Sequence, residues 1–62
     1  MKIGDLVLDK TIDQMGIVTH LDYVVEYANN VREEYIVVEL CDGSEILATE
    51  EELKLVVSSR LI

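Results

Sequence analysis

The chain has 62 residues, half of them hydrophobic, and 13 acidic against five basic side chains give a formal charge of −8. At this length a domain buries only about 60% of its unfolded surface, so the core is marginal, and a single cysteine, Cys41, excludes both an internal disulfide and a cysteine-cluster metal staple. The basic residues Lys2, Lys10, Arg32, Lys54 and Arg60 are scattered, so direct binding to nucleic acid would start from net repulsion.

Taken in chain order, five short strands are expected in one domain covering 1–62. The first lies near residues 5–8. Gly16 then opens a long second strand, "GIVTHLDYVVEY". Asn29-Asn30 separates it from the third, "EEYIVVEL", because asparagine accepts positive φ and suits a two-residue turn. Asp42-Gly43 is the stronger hairpin signal and leads to a fourth strand at 45–49. If both loops have two residues, Leu21 falls opposite Val38, Tyr23 opposite Ile36, and Val38 opposite Leu47. Leu21, Tyr23, Ile36, Val38, Leu40 and Leu47 then share one face, and turn geometry agrees with the buried pattern.

The end of the chain has two readings. "TEEE" at 49–52 has the Ser/Thr-x-x-Glu form that opens a helix. A helix over 50–61 would align Leu53, Val56, Val57 and Leu61. The alternation and paired β-branched residues of "LKLVV" instead favour a one-turn 3₁₀ segment at 50–52 and a fifth strand at 53–57.

Little of the chain suits catalysis. His20 is the only histidine, with Asp22 nearby as a possible orienting carboxylate, but no nucleophile accompanies them. Cys41 sits among Glu39 and Asp42, which oppose thiolate formation, and reads as a small, half-buried hydrophobe. His20 and Cys41 alone do not complete a zinc site. Asp5, Asp9 and Asp13 lack the ligand density and glycine of a calcium loop. Phosphate cradles and nucleophile elbows are missing as motifs. The expectation is a protein that is not an enzyme, with no cofactor, metal or small-molecule ligand.

The motif order "KIGDLVL" at 2–8, "GIV" at 16–18, "VELCDG" at 38–43 and "EEELKLV" at 50–56 resembles the small SH3-like barrels of the KOW and Tudor type. It looks most like the short single-domain versions found among bacterial and bacteriophage proteins of unknown function. The resemblance implies an all-β, five-stranded barrel with an extended hairpin between the second and third strands and a short 3₁₀ turn before the last. It also implies that Val18 turns inward, with a bulge near residues 20–22. Departures from the family matter for function. The loop "DKTIDQMG" carries little of the basic character of RNA-binding KOW segments. With neither Trp nor Phe, a groove for proline-rich ligands is not expected. Nor is an aromatic cage, since Tyr23, Tyr27 and Tyr35 fall on different faces in the expected register.

The opposite sheet face would hold Val18, Val24, Val31, Tyr35, Val37, Cys41, Ile46 and Ala48, where an antiparallel sheet is ordinarily polar. Either a bulge and the tail "VVSSRLI" cover this patch, or it is a contact surface. On the second reading, residues 23–27 and 31–35 project as an arm, and Val24, Tyr27, Val31, Tyr35, Val37 and Ile46 form an interface with acidic residues at its rim. The expected function is a small acidic protein-interaction module that binds a protein partner or itself as a homo-oligomer. The rival is a nucleic-acid-associated barrel or a DNA mimic engaging a basic partner. No apolar run nears the roughly 18 residues of a membrane span, and "MKIGDLVLDK" reaches Asp5 before any signal-like stretch develops. With a lone thiol, the expected location is the cytoplasm, or the host cytoplasm if phage-encoded.

Overall fold

A computed structural model describes residues 1–60. The protein is all-β, with five antiparallel strands in a single sheet: β1 (Leu6–Asp9), β2 (Gln14–Glu26), β3 (Arg32–Leu40), β4 (Glu45–Ala48) and β5 (Leu53–Val57). The sheet order is β4-β3-β2-β1-β5, so the terminal strands β4 and β5 each leave one edge free. The sheet does not close on itself. One 3₁₀ turn, Glu50–Glu52, links β4 to β5. The Glu52 carboxylate accepts from the Thr49 N–H and hydroxyl, both at 2.9 Å, so the Thr-x-x-Glu signal opens a single turn and not a helix. The strand at Leu53–Val57 replaces the alternative helix over 50–61, whose last member, Leu61, lies outside the described residues.

Both hairpin loops have three residues, which corrects the two-residue expectation. At the first, the Tyr27 N–H donates to the Val31 carbonyl at 2.8 Å, enclosing Ala28, Asn29 and Asn30. At the second, the Leu40 N–H donates to the Ser44 carbonyl at 2.8 Å, enclosing Cys41, Asp42 and Gly43. In each the last loop residue is left-handed, Asn30 at φ 64° and Gly43 at φ 87°. This is the three-residue loop built from a type I turn and a left-handed residue. Asp42 braces its loop by accepting from the Ser44 N–H and hydroxyl.

One extra loop residue shifts the pairing. Tyr23 faces Tyr35, Val37 faces Leu47, and Val38 faces Ile46. Because strand side chains alternate between faces, a one-residue slip exchanges inside for outside. Ile46 and Ala48 therefore point into the core, whereas Tyr23 and Leu47, expected inside, are 48% and 47% exposed. The core comprises Val7, Val18, Val38, Leu40, Ala48 and Leu53, with Met1, Leu21, Ile36 and Ile46 packed against it.

β2 serves two registers because it is irregular between Val18 and His20 and again between His20 and Tyr23. Asp22 supplies a left-handed residue there, at φ 56°. Such extra residues bend a strand and increase its twist. The irregularity lies where the bulge was expected, and Val18 is turned inward, 1% exposed. Beyond it, residues 23–26 of β2 and 32–35 of β3 pair only with each other, since β1 reaches no further than Ile17 and β4 no further than Ile36.

Candidate functional site

The face turned away from the core is assembled by direct cross-strand pairs, whose side chains point to the same side. Successive rows read Glu45–Glu39–Ile17, then Leu47–Val37–His20, then Tyr35–Tyr23, and finally Glu33–Val25 and Val31–Tyr27 at the arm. Val37 is 6% exposed yet stands apart from the main core cluster. It is buried on the outer side, and a shallow groove there is lined by His20, Tyr23, Val37, Glu45, Ile46 and Leu47.

The six expected interface residues divide. Tyr27, Val31, Tyr35 and Val37 share the outer face. Val24 pairs with Glu34 on the arm's other side, next to the exposed Arg32–Glu26 ion pair at 3.4 Å. Ile46 is half-buried against the core. Tyr23, Leu47 and Ile17 belong to the outer face and were missed. The assumed loop length put Tyr23 and Leu47 inside, so only a three-residue reading of both turns would have found them.

The three tyrosines are also closer than expected. Tyr23 is the direct partner of Tyr35, and the Tyr35 hydroxyl donates to the Glu33 carboxylate. That bond, with a smaller contribution from the Tyr27 hydroxyl, holds the Tyr35 phenol well above its ordinary range. The arm's outer face combines aromatic area with a carboxylate.

The candidate chemical residues elsewhere are occupied in the fold. Asp5, 1% exposed, accepts from the Lys2 N–H at 2.8 Å and the Ser59 N–H at 2.6 Å. Asp9 accepts from the Thr11 N–H and hydroxyl in the loop before β2. The His20 imidazole lies 3.1 Å from the Thr19 hydroxyl, and exposed Asp22 takes a left-handed backbone conformation. Cys41 is exposed in its loop, where a half-buried position was expected. Among the described residues no three His, Cys, Asp or Glu side chains are grouped to hold a metal, and no helix is long and apolar enough to cross a membrane. A second depression, lined by Met1, Leu21, Asp22, Glu34, Tyr35, Ile36 and Glu50, marks the open mouth of the core, so Tyr35 borders it as well as pairing with Tyr23.

No protein-family model matches the chain, and neither a curated protein nor a solved structure resembles it closely enough to count as a relative.

Proposed function

We propose that this chain is a small, acidic, non-catalytic protein-binding module with an opened SH3-like barrel architecture. The meander order, the 3₁₀ link before the last strand and the bend in β2 support the architectural part. One observation carries the functional part: the sheet is apolar on a second face, where Val37 is buried outside the core beneath exposed Tyr23 and Leu47. Exposed apolar patches rimmed by polar residues mark interaction sites, and tyrosine anchors such sites with apolar area and a polar tip. Carboxylates on this face alternate with apolar side chains, which favours a protein surface over an imitation of a phosphate row.

The test compares the wild type with a Tyr23→Ser, Leu47→Ser variant, two exposed positions whose replacement leaves the core intact. Covalent surface footprinting in host extract, paired with sedimentation equilibrium of the pure protein, reads the outer face directly. The expected result is protection of Tyr23 and Tyr35 that the variant loses. Unchanged labelling of both tyrosines, together with a monomer at millimolar concentration, would remove the reading.

A further inference from the structure

The outer face carries an uncompensated charge pair at a free sheet edge. Glu39 and Glu45 are direct cross-strand partners, both exposed. Like charges directly opposite one another destabilise a sheet. The Leu40–Ser44 bond fixes the ladder's phase: Val38–Ile46 is a hydrogen-bonded pair, and Glu39–Glu45 is one of the closer, non-bonded pairs. Among the described residues the only ion pair is Arg32–Glu26, so none of their cations pairs with Glu39 or Glu45. The same phase sends the backbone N–H and C=O groups of Glu45 and Leu47 away from β3, toward the open side of β4. Beside them lie the apolar groove around Val37 and, on the core side, half-buried Ile46.

We infer that β4 accepts an extended, alternating basic–apolar segment of another protein as a sixth strand, with its cations on the Glu39–Glu45 side. This rests on the protein-binding reading above and names the class of partner. Strand addition supplies main-chain bonds to Glu45 and Leu47, while side-chain alternation supplies specificity. A residue opposite Glu45 shares its face, and Glu39 lies two strand spacings, about 10 Å, from the added strand. A lysine or arginine there reaches both carboxylates. Residues of opposite parity meet Ile46 and cover the core's unclosed side. A second copy of this chain is the wrong occupant on charge grounds, since it brings another −8 and its own pair of opposed glutamates.

The probe is an eight-residue, end-blocked peptide alternating lysine and valine, titrated into isotopically labelled protein at low salt. Its controls are a glutamate–valine peptide and a lysine–valine peptide interrupted by proline, which has no N–H to donate. The expected result is half-saturation below about 1 mM, with shifts and slowed exchange at the Glu45 and Leu47 amides. Binding should weaken about tenfold in a Glu39→Gln, Glu45→Gln variant and fail for both controls. Because the controls alter the peptide, they test the idea even if the double variant folds poorly. Shifts confined to the arm or to β5 would overturn the inference and leave the protein-binding reading standing, as would absence of binding at 1 mM while the footprint persists. Equal binding of the acidic peptide, or protection of Glu45 and Leu47 by self-association alone, would also overturn it.

Discussion

The Asp5 carboxylate ties both ends of the described chain together, through the Lys2 N–H on one oxygen and the Ser59 N–H on the other. Gly4 before it has φ 93°, and a Cβ there would come within 2.8 Å of the Ser59 hydroxyl, so the Gly-Asp pair at the start of β1 is a structural device. The Ser59 and then the Lys2 backbone bonds hold the Asp5 carboxyl below its ordinary value. A depressed carboxyl contributes stability above its unfolded pKa and loses it as pH falls through the folded value. Asp5→Asn should therefore lower the urea midpoint at pH 7, with the gap to wild type closing below about pH 3.8. A gap of constant size from pH 7 to pH 2.5 would contradict that role. Gly16 matters for a different reason: a Cβ there would lie 2.6 Å from both the Glu39 carbonyl oxygen and Val38 Cγ1. Gly16→Ala should cost about 1–3 kcal/mol, read as a fall of roughly 4–8 °C per kcal/mol in thermal midpoint. That Gly16 starts a strand was legible in the sequence. That Val38 packs over it was not, because the contact depends on the register of another hairpin.

At the scale of elements, the number of strands, the 3₁₀ turn and the long central hairpin were readable from local pattern. The bulge near residues 20–22 was expected only from the family resemblance, and the pairing of β5 with β1 was not read at all. Register was not readable either. Asp-Gly and Asn-Asn serve equally in a two-residue loop with two left-handed positions and in a three-residue loop with one, and nothing local separates them. The two assumed loops agreed with each other, yet both were short by one residue, so their consistency was no safeguard. The error sent Tyr23 and Leu47 inside and Ile46 and Ala48 outside, the reverse of their observed burial. The loop assignment makes a separable prediction at Asn30, whose φ is 64°. Asn30→Gly should leave stability within a few tenths of a kcal/mol or raise it slightly. Asn30→Val should cost on the order of 1–2 kcal/mol, because a β-branched residue is strained in that region. Were Asn30 the second of two left-handed residues, Asn29→Val would be equally costly, so denaturation of both valine variants distinguishes the loop types.

For the molecule as a whole, charge and topology act together. A 62-residue chain whose sheet has two free edges and a second apolar face has the features that favour unwanted pairing. A charge of −8 opposes self-pairing by mutual repulsion, at a cost in intramolecular stability. Glu39 against Glu45 is the clearest local instance of that cost, and Arg32–Glu26, with both side chains well exposed, offsets little of it. Simple salt should then stabilise the folded chain. Raising monovalent salt from about 0.01 M to about 0.5 M shortens the screening length from roughly 30 Å to a few ångströms. The free energy of unfolding at pH 7 should rise by on the order of 1 kcal/mol. Urea denaturation at the two salt concentrations measures this. The Glu39→Gln, Glu45→Gln variant should show a visibly smaller rise, since it begins with one directly opposed pair of like charges already removed. An equal rise in both proteins would mean that the repulsion is spread over the whole surface, and the case for a cation-accepting edge at β4 would lose its energetic basis.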